Sequence, residues 1–174
     1  YAFRLLDIAD AASIALDATV SGSLDALETN AYRFTGAAGD QIEIQKLVGD
    51  GAGSAYLRVI DPAGRQLLAP TYFGGTATLT LPMGGTYTVL IEPRYYTTEA
   101  HDYSFRVTTT GNTPPADLST GTTLTIAATV SGSLASAGAT DLYTFTTTGA
   151  QRLYFDSLTY DLAKTWTLVG PRGV

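Results

Sequence analysis

Hydrophobic and polar positions alternate along most of this chain with a period of two. In 40–47, Ile42 and Ile44 stand between Gln41, Glu43 and Gln45; in 86–92, Tyr87, Val89 and Ile91 stand between Thr86, Thr88 and Leu90. Successive side chains on a strand point to opposite faces, so such segments read as strands with one buried face. The pattern predicts eight strands, at 18–24, 31–36, 40–47, 55–61, 66–69, 76–81, 86–92 and 102–109. Only Ile8–Asp17 has the composition of a short helical turn. Asp61-Pro62-Ala63-Gly64 reads as a turn, Pro presetting φ and Gly accepting a positive φ. Pro82-Met83-Gly84-Gly85 reads as a second turn, joining two antiparallel strands. Eight short strands in about 100 residues predict an all-β, antiparallel β-sandwich, jelly-roll-like or immunoglobulin-like. With no crossover helix, α/β folds are excluded.

The same pattern returns. Ala18-Thr19-Val20-Ser21-Gly22-Ser23-Leu24 recurs letter for letter at Ala128–Leu134, an offset of 110. Tyr32-x-Phe34-Thr35 matches Tyr143-x-Phe145-Thr146, and Ile42-x-Ile44-x-x-Leu47 matches Leu153-x-Phe155-x-x-Leu158, both at 111. Val59–Gly64 maps onto Leu168–Gly173 at 109. Four blocks in one order point to a tandem repeat of about 110 residues. Tyr1-Ala2-Phe3-Arg4-Leu5 also matches Tyr103-Ser104-Phe105-Arg106-Val107. The expected organisation is therefore the last strand of a preceding repeat at 1–7, a complete sandwich at 8–110, a linker at 111–117, and the first half of a second sandwich at 118–174. That half is expected to leave an open edge, covered by further chain beyond Val174 or by strand donation in a filament. Trp166 aligns with Leu57 and is expected in a core.

Composition narrows the function. Charged residues are 15%, against roughly 25% in an average domain. The net charge is -6, with two lysines, one His and no Cys. Such acidity argues against a nucleic-acid partner, and no apolar run reaches the roughly 18 residues of a membrane span, so no membrane insertion is expected. Without Cys there is no disulfide framework, Cys-ligated zinc or thiol nucleophile.

Candidate chemistry is sparse. His101-Asp102 could imitate a base and its orienting acid, but neighbours on a strand face opposite ways and no G-x-S-x-G elbow is present. Asp40, Asp50, Asp61, Glu92, Glu99 and Asp102 offer carboxylates for a glycosidase pair, without a spacing that selects two. Asp7, Asp10 and Asp117 lie in or near the linkers, where hard oxygen ligands could gather a calcium ion with backbone carbonyls; no cofactor is otherwise required. The most ligand-like element is the loop carrying Arg94, Tyr95 and Tyr96, where rings can stack on sugar or collagen-like faces and Arg supplies directional hydrogen bonds. Tyr72 and Phe73 form a second aromatic pair near a turn.

Val-Ser-Gly-Ser-Leu, Asp141-Leu142-Tyr143-Thr144-Phe145, the apolar–Asp/Gly–Pro–x–Gly turn and Pro82-x-Gly-Gly85-Thr86-Tyr87-x-Val89 together resemble the bacterial pre-peptidase C-terminal domain. The resemblance spans the complete repeat and what is present of the second. It departs at Asn30, which stands where the second repeat has Asp141. It implies a jelly-roll-like sandwich of secreted bacterial proteins, found beside extracellular peptidases or in large surface proteins, some members binding collagen or calcium. The expected function is a non-enzymatic repeat segment of a large extracellular protein, a structural spacer or surface, filament or adhesion module, with neighbouring repeats as partners. The alternative is an accessory domain of a secreted hydrolase that binds polysaccharide or an extracellular protein.

Overall fold

The structure is a computed structural model and describes residues 3–49, 55–115, 117–161 and 163–170. They fall into two compact units, Tyr1–Pro115 with Leu168–Val174, and Ala116–Thr167.

In the first unit the alternating segments become strands: β1 Ala12–Ser13, β2 Thr19–Leu24, β3 Asn30–Gly36, β4 Asp40–Gly49, β5 Ala55–Ile60, β6 Gln66–Tyr72, β7 Thr76–Thr80, β8 Gly85–Pro93 and β9 His101–Asn112. They build a five-stranded sheet, β1-β3-β8-β5-β6, and a four-stranded sheet, β2-β9-β4-β7. All pairs are antiparallel except β1 with β3. The two sheets enclose one core. From β3, β5 and β8 come Phe34, Leu57, Val59, Tyr87, Val89 and Ile91, and from β2, β4 and β9 come Leu24, Ile42, Ile44, Phe105 and Val107. Phe34 stacks on Tyr87 at 5.5 Å between centroids, and Tyr32 meets Phe105 edge to face at 5.3 Å. Burying side chains of this size contributes about 1.5–3 kcal/mol each, which explains why alternation alone located these strands.

All eight predicted strands are present, and the differences lie at their ends. β6 runs to Tyr72, past Pro70, because it is an edge strand and carries a register shift between the partners of Leu57 and Val59; Pro, lacking an N–H, is tolerated there. β9 runs to Asn112, and the Thr113 N–H donates to the Gly39 carbonyl at 2.9 Å, so the first residues of the expected linker continue the sheet. The turn at Asp61–Gly64 forms as expected, with Gly64 at φ +78°. Pro82–Gly85 is corrected: it joins no antiparallel pair but carries the chain from β7 in one sheet to β8 in the other. The Tyr87 hydroxyl donates to the Met83 carbonyl at 2.6 Å and so pins this crossing. Gly85 sits at φ +144°, and a Cβ there would stand 2.8 Å from the Pro62 ring. Residues 3–7 belong to no strand, and Tyr1 and Ala2 lie outside the described residues.

The second unit holds little regular structure among its described residues. β10 (Thr122–Thr123) and β11 (Tyr143–Thr144) pair in parallel, and a 3-10 turn spans Leu118–Thr120. These repeat features of the first unit. Thr122 and Thr123 face Tyr143 and Thr144 as Ala12 and Ser13 face Tyr32 and Arg33. The turns at Ile8–Asp10 and Leu118–Thr120 are capped by Asp7 and Asp117, each accepting the N–H two residues on at 2.9 Å. Asp17 and Ala127, 110 apart, both have positive φ, 64° and 70°. The segments matching β2 and β4, 128–134 and 153–158, form no strand, and Trp166 is 61% exposed instead of buried, resting on Phe155 at 4.5 Å. Topology supplies the reason. In the first unit β2 to β5 never pair with one another; their partners are β1 and β6–β9. Among the described residues, 128–134 and 153–158 have no strand of that kind beside them.

Candidate functional site

The loop after β8 gathers the predicted ligand-binding residues. The Thr97 N–H donates to the Arg94 carbonyl at 2.9 Å and closes a tight turn. That turn places the Arg94 guanidinium over the Tyr56 ring at 4.3 Å and 5.2 Å from the Tyr96 ring. Arg94 Nε is buried with no hydrogen-bond partner among the described residues, so the ring faces serve the cation in place of oxygen acceptors. Tyr95 meets Tyr96 edge to face at 5.1 Å and is itself 88% exposed. Arg94, Tyr95 and Tyr96 thus form one cluster.

Two further tyrosines join it: Tyr56, absent from the sequence candidates, and Tyr72, which the sequence had paired with Phe73. Tyr56 lies on the outer face of β5, opposite the buried Ala55, Leu57 and Val59, and Tyr72 of β6 is its cross-strand partner. The available signal was the position of Tyr56 on the polar side of the β5 alternation. Glu92, register partner of Tyr56, is ion-paired with Arg58 at 3.1 Å. The face therefore presents four tyrosines, a shielded cation and a neutralised carboxylate, a surface suited to flat, uncharged ligands. Tyr72 and Phe73 are not a pair: Tyr72 is exposed, whereas Phe73 is buried against Tyr103 and Phe105. Beside them a groove of about 260 Å³ runs between edge strands β6 and β7, floored by Leu57, Leu68, Phe73 and Ala77.

Three of the carboxylates raised as catalytic candidates, Asp40, Asp61 and Glu92, have structural partners. Asp61 accepts the N–H groups of Ala63 and Arg65 at 2.9 and 2.8 Å and pairs with the Arg65 guanidinium at 2.9 Å. Burial works against its charge, but the Arg65 and Ala63 donors outweigh it and hold the carboxyl below its ordinary value. Asp40 accepts from Asn112 and the Ala37 N–H, which lower its pKa likewise. His101 and Asp102 are successive residues of β9, facing Leu24 and Ser23 respectively; Asp50 lies outside the described residues.

Of the calcium candidates, Asp7 and Asp117 cap their 3-10 turns, and Asp117 also accepts the Ser119 hydroxyl at 2.6 Å, which lowers its pKa. Asp10 is exposed in the first of those turns. No group of three or more His, Asp or Glu side chains converges among the described residues.

A part-buried hydroxyl cluster packs against Gly22 and Ser23 of β2. Tyr32 and Tyr103 share a short hydrogen bond, and the Asn30 amide donates to the Tyr103 hydroxyl at 2.9 Å and the Ser23 carbonyl at 2.8 Å. Burial, then the bond to Tyr32, push the Tyr103 hydroxyl pKa well up. A Cβ on Gly22 would stand 2.8 Å from the Tyr103 hydroxyl, so any larger residue must push that hydroxyl aside.

No protein-family model matches the chain, and no curated protein matches it. Among solved structures it is similar to the pre-peptidase C-terminal domain of collagenase from Bacillus anthracis, at 22% identity and TM-score 0.45, covering 56% of this chain and 94% of that one. It is also similar to PliG of Aeromonas hydrophila, a periplasmic inhibitor of g-type lysozyme, at 15% identity and TM-score 0.45, covering 56% of this chain and 95% of that one. PliG of Salmonella Typhimurium matches at 16% identity and TM-score 0.41, covering 55% and 95%.

Proposed function

We propose that this chain is a non-catalytic, repeated β-sandwich segment of a large extracellular bacterial protein, working as a structural spacer or surface module. One observation carries the reading: the capped turn, the left-handed residue and the parallel bridge recur in the second unit at the offset of the sequence repeat. Backbone hardware repeated in this way belongs to modules that stack in series. The structural partners found for Asp40, Asp61 and Glu92 support a non-catalytic role. Among the described residues no helix is long and apolar enough to cross a membrane.

A second reading, an accessory domain that binds polysaccharide or a collagen-like protein, is favoured by the cluster of Tyr56, Tyr72, Arg94, Tyr95 and Tyr96. The two readings separate on a glycan array and on immobilised triple-helical peptide. The spacer predicts no signal above background for the full chain. Binding that falls at least tenfold in Tyr95→Ala with Tyr96→Ala would establish the accessory role instead. Calcium at Asp7, Asp10 or Asp117 is a separate proposal, which a melting temperature unchanged by excess EDTA would remove.

A further inference from the structure

A sandwich of two open sheets has four edges, and an unguarded edge offers its N–H and C=O groups to another chain. Three of the edges here are blunted. β1 is two residues long. β6 carries Pro70, which has no N–H to offer, and two register shifts against β5. β2 lies between Asp17 and Asp25, and the Asn30 amide, reaching from the other sheet, already takes its Ser23 carbonyl at 2.8 Å.

β7, Thr76–Thr80, has none of these devices. Among the described residues its strand partner is β4, in unbroken antiparallel register, with Thr80 opposite Gln41 and Thr76 opposite Gln45. It holds no Pro, Gly or charged residue, and no charged residue occurs anywhere in 66–91. The groove beside it, floored by Leu57, Leu68, Phe73 and Ala77, is likewise lined by uncharged residues.

The sequence of β7 also says which strand it fits. Thr76, Thr78 and Thr80 are exposed on one face, while Ala77 and Leu79 are half-buried against the core. Residues directly opposite in an antiparallel pair share a face. Turned about a two-fold axis through Thr78, the strand therefore meets itself without mismatch. Thr78 faces Thr78, Thr76 faces Thr80 and Ala77 faces Leu79, which keeps a threonine ladder on the solvent side. A slip of one residue would set Thr76 against Leu79 and break the match. The same operation about Ser21 of β2 brings Asp17 opposite the second copy's Asp25, a repulsive pair. At β7, Glu43 is the register partner of Thr78 on β4. It would stand three strand spacings, about 14 Å, from its symmetry mate, beyond the screening length of about 8 Å at physiological ionic strength.

We infer that β7 is the contact of a symmetric dimer. Two copies join edge to edge, antiparallel about Thr78, and their four-stranded sheets become one sheet of eight strands. The inference goes beyond both functional readings and rests on the first unit alone.

The chain has no Cys, so one substitution reports the axis. In the full chain, Thr78→Cys places two thiols across the two-fold at a Cα separation of about 4.5–5.5 Å, which a disulfide spans. Mild oxidation should give a reducible dimer and nothing larger, at least fivefold more than from Ser21→Cys, an exposed position at the centre of β2. Sedimentation equilibrium of the unsubstituted chain should show the mass rising with concentration to twice the monomer's and levelling there. Thr78→Lys sets like charges against each other on the solvent face and should weaken association at least tenfold, with an unchanged circular dichroism spectrum. Ser21→Lys, the same charge on β2, should leave association as it was. If Thr78→Lys alters the spectrum, the crosslink and the native mass decide. A monomer at every concentration, equal crosslinking from positions 21 and 78, a ladder beyond the dimer, or a dimer indifferent to Thr78→Lys each overturns the inference. So does a chain that stays monomeric yet binds a synthetic peptide of residues 74–82, since the edge then takes a free extended segment and not a second copy.

Discussion

At Gly22 the backbone passes so close to two tyrosine hydroxyls that a Cβ would stand 2.8 Å from one and 2.9 Å from the other. Gly22→Val should therefore cost about 1–3 kcal/mol by forcing those rings aside, read as a lower urea midpoint at unchanged slope. Tyr103→Phe in the same background should recover part of that loss, because it removes the atom the new methyls strike. Asp61 gives the second residue-scale expectation. Asp61→Ala strands two N–H groups and removes the ion pair to Arg65, for about 1–3 kcal/mol at pH 7. The folded carboxyl lies below its ordinary value, so its contribution is present above the unfolded pKa of about 3.9 and is lost as pH falls through the folded value. The difference in melting temperature between the native chain and Asp61→Ala should thus hold from pH 7 to about pH 5 and shrink below about pH 4. A difference independent of pH would assign the effect to packing alone.

Among the elements, pairing partners separate what forms from what does not. β2, β3, β4 and β5 contribute the first faces of the sandwich, but each is hydrogen-bonded only to β1 or to β6–β9. The 128–134 and 153–158 segments carry the same alternation and find none of those partners. Hydrogen exchange should follow this division. Amides of β8 and β9, central in their sheets, should be the slowest, and those of 126–142 should exchange at close to unfolded rates. Leu124, whose N–H donates to the Thr144 carbonyl at 2.7 Å, should be an intermediate case. Protection across 128–134 in a dilute monomer would contradict the pairing argument.

This also shows what could be read from sequence. Period-two segments such as Ile42-x-Ile44 and Tyr87-x-Val89-x-Ile91 announced their strands because alternation reports one buried face. Alternation does not report which sheet a strand joins, and so Pro82–Gly85 looked like a hairpin when it is a crossing between sheets. It also carries no information on partners, and Trp166, by its alignment with Leu57, was expected in a core that its unit does not build. At the candidate site, Arg94, Tyr95 and Tyr96 were legible because they are contiguous. Tyr56 and Tyr72 reach the same cluster only through strand pairing, which no local pattern encodes.

For the whole molecule, the nine-stranded sandwich of the first unit carries the cooperative fold, and the second unit adds no folded core of its own among its described residues. Calorimetry of residues 8–174 beside residues 8–115 tests this most directly. Unfolding enthalpy scales with the residues that fold, at about 0.7 kcal/mol per residue near 60 °C. The account predicts a single transition in both chains, at the same temperature, with an enthalpy of about 75 kcal/mol. An enthalpy near 115 kcal/mol in the longer chain, or a second cooperative transition absent from the shorter one, would contradict it.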